Sequence, residues 1–574
     1  MNKIRIVSAA LFVSAALFSL VNIHFAADVS AFAFPLALAF TALSTYFLPF
    51  KLIVREEFAF YGAAQKALQY LPFVLLAAFV LRRAGARGAA AWLDAVSVVL
   101  WCAVFVTSQI VLYFLHEKRV EAVVPAWKGI TKAKKAPRGI LRFVREVADW
   151  IDALLQAVFM VLLIQIFIVQ LYVIPSESMV PSFLVKDRVV VFKTASGPAF
   201  PLSAVGLPLL KTYKRGDVVV FRNPHYSMDR KSEVRTVASQ LAYMLSFTSV
   251  NLNVDEHGQP KADPLVKRIC GTGGEQLVMQ DGILYARTKE SPDFKPVDFD
   301  SKYAAWNLNT VPPRIKSGIQ YIPLSQSHYD MMLEVEELRR NFSIPNAQDE
   351  CRVLVERFSR LHKMTPESSS NKKSLIPLSE YDLFNNIADV TQKLLTQPEG
   401  AADFFAFMTA WTGNIPASFE DPYAEANYKL NLMIKLTAGK IIVRLAGLSA
   451  QKADNAVLTR DGVLNDAFTL AEKLNFYVMI LDQRNMPLFP ANAEDGTPAY
   501  IPDGSYFMMG DNRFNSLDMR HSYTQKTTPL TASDPYSVTY RSNMAPQYVS
   551  KKYILGTTLF RFWPLSRAGG IANS

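Results

Sequence analysis

Ser178 and Lys267 are the two side chains of this sequence whose surroundings best suit chemistry. Ser178 lies in a short stretch between Pro175 and Pro181, directly after a long apolar run that ends at Ile174. A serine hydroxyl is a weak nucleophile and needs a nearby base to take its proton. None of the seven histidines lies in a context typical of a catalytic triad or of a metal motif such as HExxH. Lys267 is therefore the candidate base for the Ser178 hydroxyl.

Lys267 interrupts the apolar run Leu265 to Cys270, which has the character of a β-strand. Neighbouring strand residues point to opposite faces, so we expect Lys267 and Arg268 on opposite sides of a sheet. A free lysine, with a pKa of about 10.4, is neutral at pH 7 in no more than about one molecule in a thousand. Burial lowers that pKa, and a shift to about 8 costs roughly 3 kcal/mol. The alternative is a lysine whose amine reaches water from a strand edge.

A third segment, Met509 to Arg520, is rich in turn-forming residues. We predict that Ser516 hydrogen-bonds the Lys267 amine, and that Asp518 and Arg520 form a charge-assisted pair that holds the segment. A structural hairpin loop with a surface ion pair is the alternative. The candidate supporting residues are Gly510, Asp511, Asn512, Ser516, Asp518 and Arg520.

Five apolar segments lie before Ser178. A helix needs about 20 residues to cross a membrane, and four of the five segments meet this requirement comfortably. The third segment is weaker because Gln65, Lys66 and Gln69 interrupt it, and a helix lying in the interface is its alternative. The first could instead be a signal peptide cleaved near Val29-Ser30-Ala31. The five segments are about 6–23, 29–50, 58–81, 89–115 and 151–174.

Charge predicts the orientation of these segments. The loop 116–149 carries nine Lys and Arg against four acidic residues, so it should remain cytoplasmic. Five crossings then place everything after Ile174 outside. Arg82, Arg83 and Arg87 disagree, because they would lie in an outside loop. The basic loop also explains much of the net charge of +11 through membrane lipids, more simply than through nucleic acid.

The residues after Ser178 change from β-type to helical patterns and back. Asp281-Gly282 between two apolar runs predicts a hairpin turn. Met331, Val335 and Leu338 fall on one helical face, and similar periodicity recurs up to about residue 500. Cys102, Cys270 and Cys351 show no CxxC spacing. The sequence does not decide whether Cys270 and Cys351 form a disulfide. The strands we predict are 187–192, 217–221, 265–270 and the hairpin 275–285.

Together these segments resemble the bacterial type I signal peptidases, which are membrane-bound Ser/Lys endopeptidases. The resemblance covers about 151–290 and 500–570, and its blocks occur in the family's order. They are Pro175 to Pro181 (PSESMVP), Arg215 to Phe221 (RGDVVVF), Lys267-Arg268, Gly510 to Arg513 (GDNR) and Phe562-Trp563-Pro564.

The resemblance implies roles for individual residues. Ser178 would be the nucleophile, Lys267 the general base, and Ser176 with the Ser178 backbone N–H the oxyanion hole. No metal or nucleotide cofactor would be needed. The residues lining pockets for small side chains at −1 and −3 of the cleavage site would be Tyr172, Ile174, Met179, Phe183 and Val266.

The sequence departs from the family's pattern at several points. Glu177 stands where glycine is usual, which would put a carboxylate near the oxyanion hole, and Phe514 replaces a common aspartate. Gly271 to Glu275 loosens a usual turn. Five membrane segments and a helical insertion of roughly 200 residues exceed the usual plan of one or two anchors.

The sequence therefore predicts a mixed fold: a multi-spanning α-helical membrane region, then a mainly antiparallel β peptidase domain carrying a large helical insertion. The predicted function is removal of signal peptides from exported preproteins at the outer, periplasmic face of the cytoplasmic membrane, with the insertion as a possible contact for secretion machinery. The predicted regions are 1–115 (four membrane helices), 116–150 (cytoplasmic loop), 151–174 (fifth helix), 175–290 and 501–574 (peptidase), and 291–500 (insertion).

Two alternatives remain, and the first of them comes from a different class of protein. One is a membrane-anchored scaffold with an inactive peptidase-like domain. The other is a narrow-client Ser/Lys peptidase, of the conjugation type or the self-cleaving repressor type. The five membrane segments and the lack of a recognisable DNA-reading helix in the sequence weigh against a repressor.

Overall fold

The amino-terminal third of the chain is helical. The computed structural model describes residues 2–23, 28–85, 90–123, 139–226, 229–245, 250, 252–254, 258, 261–363, 374–452 and 455–571. Its first helices are α1 (Asn2–Val21), α2 (Ala33–Thr45, continued by a π-helical stretch Tyr46–Val54), α3 (Tyr61–Ala84), α4 (Ala91–Phe114), α5 (Glu117–Val123) and α6 (Ile140–Phe167). Five stretches are long and apolar enough to cross a membrane: Lys3–Val21, Val29–Val54, Phe58–Ala84, Ala91–Phe114 and Arg142–Phe167.

The fifth spanning helix differs from the segment 151–174 that we predicted. The helix begins at Ile140 and ends at Phe167, and Val169–Val173 form a β-strand, β1, instead. The prediction was wrong for these last residues because a spanning helix and a half-buried edge strand both need apolar side chains. Hydropathy alone does not separate the two, whereas the pairing of β1 with a later strand does.

The polar residues of the third segment contact the fifth. Lys66 Nζ lies 3.4 Å from Asp152 Oδ2, and Gln156 donates to Gln69 Oε1 at 3.2 Å. Polar groups inside a membrane are costly unless they find partners. These contacts therefore favour α3 as a spanning helix that packs on α6 over a helix lying in the interface.

The arginines that disagreed with the predicted orientation have partners. Asp94 pairs with Arg82 at 2.7 Å and with Arg83 at 3.2 Å, and all three side chains are largely buried. Arg83 also donates to Leu202 O, and Ser203 Oγ donates to Asp94. The α3–α4 junction thus lies on the same side as the segment that follows α6, which supports an outside loop. Arg87 lies outside the described residues.

An antiparallel sheet follows the membrane helices. Its strand order is β1-β2-β13-β3-β4-β9-β12, with β14 beside β13. A smaller sheet has the order β7-β6-β5-β8, and β10 pairs with β11. The strands are β1 (Val169–Val173), β2 (Arg188–Phe192), β3 (Val218–Phe221), β4 (Leu265–Gly271), β5 (Glu275–Gln280), β6 (Ile283–Thr288), β7 (Lys295–Pro296), β8 (Met486–Phe489), β9 (Ser505–Met509), β10 (His521–Pro529), β11 (Thr539–Met544), β12 (Val549–Ser550), β13 (Ile554–Trp563) and β14 (Gly569–Gly570).

The predicted hairpin is confirmed. Asp281 and Gly282 join β5 to β6 with φ values of +52° and +77°. A two-residue turn with positive φ at both positions matches the right-handed twist of the strands, and Asp-Gly suits it because glycine adopts this conformation without strain.

The helical insertion has a hydrophobic core separate from that of the β-sheet, and residues from the second half of the β domain also pack into it. The described helices between β3 and β8 are α7 (Arg230–Leu245), α8 (Asp298–Ser301), α9 (Pro313–Lys316), α10 (Gln326–Arg340), α11 (Ile344–Leu361), α12 (Glu380–Asn385), α13 (Ile387–Thr396), α14 (Gly400–Thr409), α15 (Pro422–Ala450), α16 (Asn455–Arg460), α17 (Gly462–Met479) and α18 (Leu481–Arg484). Leu530, Val538 and Tyr540 from the β10–β11 region pack into this core. A buried ion pair of 2.6 Å joins Lys435 of α15 to Asp534. The insertion and the β10–β11 hairpin therefore form one packed unit.

The cysteine pair that the sequence left open is not bonded. All three cysteines are free. Cys270 is buried in the core of the β domain, whereas Cys351 on α11 is buried in the core of the insertion. The two residues therefore belong to separate cores.

The Asp94 cluster gives a prediction about stability. Asp94→Asn leaves two largely buried arginines without a counter-charge, so we expect the thermal unfolding midpoint in detergent to fall by at least about 5 °C. The matched control is Asp349→Asn, which removes an exposed Asp–Arg pair and should shift the midpoint by no more than about 1 °C. Equal midpoints for the two variants would contradict the assigned role of Asp94.

Candidate active site

Strand β4 directs its two basic side chains to opposite faces, as its alternation predicts. On one face, Lys267 Nζ lies 2.7 Å from Ser178 Oγ. On the other, Arg268 forms an ion pair with Asp511 at 2.8 Å. Ser178 and Lys267 are 89 residues apart in sequence, and both side chains are buried, with exposed fractions of 9% and 3%. The structure thus brings the candidate nucleophile and the candidate base into hydrogen-bond contact.

The surroundings of Lys267 favour its neutral form. Burial lowers the pKa of Lys267 to about 8, the Asp518 and Asp511 carboxylates oppose this shift, and Arg520 adds to it. With that pKa, about one molecule in ten carries a neutral amine at pH 7. The alternative of a lysine reaching water from a strand edge is contradicted by the 3% exposure of this side chain.

The segment Gly510–Asn512 fixes the loop that carries Ser178. The Asn512 backbone N–H donates to Ser178 O at 3.1 Å, and its side-chain amide donates to Glu177 O at 3.1 Å. A Cβ atom on Gly510 would lie 2.4 Å from Ser178 O and 2.2 Å from Ser516 Oγ. Only glycine fits this close approach, so the turn residues act by letting two backbones touch.

Asp518 and Arg520 form the predicted ion pair. Arg520 Nε donates to Asp518 Oδ1 at 2.9 Å and its Nη2 to Asp518 Oδ2 at 3.0 Å. Burial opposes ionisation of Asp518, but Arg520 outweighs it and holds the pKa of this carboxyl well below its usual range. Asp518 also accepts from the Gly510 N–H at 2.9 Å. The pair therefore anchors the same turn that holds the nucleophile loop, and it is buried rather than on the surface.

The predicted bond from Ser516 to Lys267 is not formed. Ser516 Oγ is buried and has no hydrogen-bond partner among the described residues. It lies beside the Cα of Gly510 instead, close to Ser178 O. Sequence spacing could place Ser516 in the supporting segment, but it could not fix the direction of a rotatable hydroxyl.

The candidate oxyanion donors lie together at the nucleophile. Ser176 Oγ is 3.4 Å from Ser178 Oγ. The Ser178 backbone N–H donates to no other described residue. A hydroxyl next to the nucleophile and an unused backbone N–H are the kinds of donor that stabilise a developing oxyanion.

Glu177 is not directed at the oxyanion donors, in contrast to our expectation. Its carboxylate accepts from the backbone N–H groups of Gln320 and Tyr321, the latter at 3.1 Å. The side chain is turned to the insertion because those two N–H groups supply the hydrogen bonds that a buried carboxylate requires. Glu177 therefore ties the nucleophile loop to the insertion.

The residues expected at the −1 and −3 pockets share one apolar cluster. Ile174, Met179 and Phe183 are among its buried members, and Tyr172 and Val266 are partly buried and pack against it. Val266 directly precedes Lys267 on β4, and Met179 directly follows Ser178. The structure thus gathers all five residues next to the Ser178–Lys267 pair.

Sequence reasoning missed the part that the insertion plays in this site. Arg513 pairs with Asp300 at 2.6 Å, and Ala305 exchanges backbone hydrogen bonds with Asp511 and Arg513. The ring of Phe514, which replaces the family's common aspartate, packs edge-on against Trp306. These contacts join residues about 200 positions apart, so no local pattern could have signalled them.

An apolar contact adds to this junction. Val180 and Leu184, which follow the nucleophile, form a buried cluster with Leu308, and Ile315 and Ile319 pack at its edge. Residues 300–322 therefore form one wall of the nucleophile loop, although we predicted them as part of a separate insertion.

Comparisons with known proteins match this chain to one protein family. The model of one protein family, signal peptidase, peptidase S26, matches residues 147–346 and 440–563. These ranges contain every candidate site residue and extend into both ends of the predicted insertion. No solved structure matches the chain.

Curated relatives carry the same description. Signal peptidase I of Haemophilus influenzae is 25% identical over 220 residues, which are 38% of this chain and 59% of that protein. Signal peptidase I of Buchnera aphidicola subsp. Baizongia pistaciae is 35% identical over 81 residues, 14% of this chain and 26% of that protein. The protein of the same name from Buchnera aphidicola subsp. Schizaphis graminum is 33% identical over 114 residues, 20% of this chain and 36% of that protein. The chain thus spans at most 59% of the length of these relatives.

The Glu177 contact gives a testable prediction. Glu177→Gln replaces one of two carboxylate acceptors by an NH₂ group that faces a backbone N–H, which loosens the nucleophile loop. We expect kcat for peptide-bond cleavage of a precursor to fall about tenfold while KM stays within about twofold. Glu337→Gln, which changes an exposed carboxylate on α10, is the matched control and should keep both parameters. Wild-type kcat in Glu177→Gln would contradict this role.

Proposed function

The chain belongs to the signal peptidase family, peptidase S26, and on that premise we propose that it is a membrane-bound endopeptidase that removes signal peptides from exported preproteins. The observation that carries the proposal is the 2.7 Å contact between Lys267 Nζ and Ser178 Oγ in a buried site. A buried amine with a lowered pKa is a competent base at neutral pH, and a serine in contact with it is an activated nucleophile.

In acylation, the neutral Lys267 amine takes the Ser178 proton while Oγ attacks the carbonyl carbon of the −1 residue. The carbonyl oxygen becomes an oxyanion, which the Ser176 hydroxyl and the Ser178 backbone N–H stabilise. As the C–N bond breaks, the Lys267 ammonium gives its proton to the leaving amine. The products of this step are an acyl-enzyme on Ser178 and the new amino terminus of the mature protein.

In deacylation, the neutral Lys267 amine takes a proton from water, which attacks the acyl carbon. The tetrahedral intermediate collapses, Lys267 returns the proton to Ser178 Oγ, and the signal peptide leaves with a new carboxyl group, which then loses its proton to solvent. One base thus serves both halves of the reaction, and each returns Lys267 to its neutral form.

The substrate preference that we propose rests on the cluster beside Ser178. Ile174, Met179 and Phe183 are buried, so they leave little room next to the nucleophile. Small residues at −1 and −3 of the cleavage site suit such a surface, and larger side chains would clash with it.

The proposed location is the outer side of the cytoplasmic membrane. Five candidate spans and a basic loop between the fourth and the fifth support an outside location for the residues beyond Phe167, if the amino terminus is inside. The contacts from Arg83 to Leu202 and from Ser203 to Asp94 support this orientation, because they join the α3–α4 junction to the peptidase side.

The dyad predicts the effect of two substitutions. Ser178→Ala and Lys267→Ala should each lower kcat/KM for cleavage of a precursor with an Ala-x-Ala junction by at least about a thousandfold. Ser327→Ala and Lys440→Ala, which change an exposed serine and a half-buried lysine of the insertion away from the dyad, are the matched controls and should cleave as wild type does. Retained cleavage in either dyad variant would contradict the assignment.

Two unrelated precursors should be assayed together with the purified full chain. Cleavage of both would exclude an inactive scaffold and a narrow-client peptidase at once, whereas cleavage of neither would favour the scaffold. Deleting the whole insertion is a poor test of a recruiting role, because residues 300–322 also hold the nucleophile loop. Point variants on the exposed faces of α11 and α14 separate recruitment from catalysis more cleanly.

A further inference from the structure

A cavity of about 530 Å³ lies on the Arg268 face of β4, separate from the Ser178–Lys267 pair. Neither Ser178 nor Lys267 lines it. Its polar lining comes from four arginines with two serines and a tyrosine: Arg268, Arg314, Arg561, Arg567, Ser182, Ser566 and Tyr303. The charge of this cavity depends on how many carboxylates lie near its four guanidinium groups.

Two carboxylates face this cavity's arginines. Asp511 binds Arg268 through two hydrogen bonds, which neutralises that guanidinium. Asp187 is buried and lies 3.5 Å from Arg561 and 3.1 Å from Arg567.

Arg314 adds a further positive charge. It is exposed and forms no ion pair with the residues that the structure describes. Among the described residues, Asp187 is thus the single carboxylate for three guanidinium groups, Arg314, Arg561 and Arg567. The cavity therefore carries a net charge of about +2.

Arg567 is the least satisfied member of this group. Its Nη1 is buried and has no hydrogen-bond partner among the described residues. Burial lowers the pKa of Arg567, Asp187 opposes that shift, and the neighbouring Arg561 and Arg314 add to it. A buried donor without an acceptor costs free energy, so an anion seated here would relieve both the unmet hydrogen bond and the repulsion.

The segment that supplies Arg561 and Arg567 also exposes apolar side chains. Phe560, Trp563 and Leu565 lie before and between the two arginines in sequence and are exposed, Leu565 to 76%. Strand β13 pairs with β2, which pairs with β1, and β1 directly follows the last membrane helix. The register places Trp563 beside Arg188 and therefore level with Val173, at the end of β1 that lies away from the helix. Exposed aromatic and aliphatic residues on a sheet that is joined to a spanning helix are typical of a surface that meets lipid.

We propose that this cavity binds the phosphoryl headgroup of an anionic phospholipid from the membrane in which the chain is anchored. Guanidinium groups bind phosphate oxygens bidentately, and the net positive charge favours an anionic over a zwitterionic headgroup. Ser566 and Tyr303 supply hydroxyls for the polar part of the headgroup, and the exposed apolar residues contact the acyl region. This site is distinct from the proposed catalytic dyad and does not depend on it.

The test is a titration of the purified full chain in an uncharged detergent. Three probes are compared by isothermal titration calorimetry: a short-chain phosphatidylglycerol, a short-chain phosphatidylcholine and inorganic phosphate. We expect phosphatidylglycerol to bind at least about tenfold more tightly than either of the other two. Ser178→Ala, which removes the proposed nucleophile, should bind it as wild type does.

Variants then locate the site. Arg314→Gln and Arg567→Gln should each weaken phosphatidylglycerol binding about tenfold, whereas Arg352→Gln, at an exposed arginine of the insertion, should not. Arg314 is exposed and has no ion-pair partner in the described part of the chain, so its substitution keeps the test valid even if Arg567→Gln fails to fold. Unchanged binding in Arg314→Gln would overturn the proposal, and so would equal affinity for phosphatidylglycerol and inorganic phosphate.

Discussion

The exclusion of water from the Lys267 amine is the constraint on which the rest of this structure depends. A lysine in water is almost entirely charged at pH 7 and cannot act as a base. Here β4 lies between β3 and β9, the Ser178 loop covers the amine, and burial lowers its pKa to about 8. Asp518 would attract the ammonium form, but Arg520 holds that carboxylate in an ion pair. The supporting segment therefore matters as much for the charges it neutralises as for the geometry it sets.

The nucleophile loop is held from two directions, and only one of them belongs to the β domain. Gly510 and Asn512 hold it from the supporting segment, and Glu177 holds it to the backbone of residues 320 and 321. Two departures from the family's pattern, Glu177 and Phe514, both contact residues between 300 and 322. Both side chains bind or pack against the insertion. The insertion therefore helps to hold the candidate active site in place.

The sequence was sufficient where function depends on short segments. The Ser178 stretch, the Lys267 strand, the Asp518–Arg520 pair and the Asp281-Gly282 hairpin are each encoded within a few residues. The sequence was insufficient where the structure depends on contacts between distant residues. The β1 residues resemble a membrane helix in sequence because their partner strand is not adjacent. The Glu177 carboxylate accepts from two backbone N–H groups, the first of them 143 residues away. The prediction that Ser516 bonds Lys267 was wrong for another reason: the sequence does not determine which way a rotatable hydroxyl points.

The dependence of cleavage on pH tests the central claim most directly. If Lys267 must be neutral to accept the Ser178 proton, kcat/KM should rise with pH and level off with an apparent pKa of about 8, because deprotonation of the free enzyme creates the active form. The measurement is kcat/KM for one precursor between pH 6 and about 10.5, the upper limit being the pKa of an ordinary lysine. A rising limb centred near 8 is the predicted result. A limb centred at or above about 10, or a rate that does not change across this range, would contradict a buried neutral amine as the base.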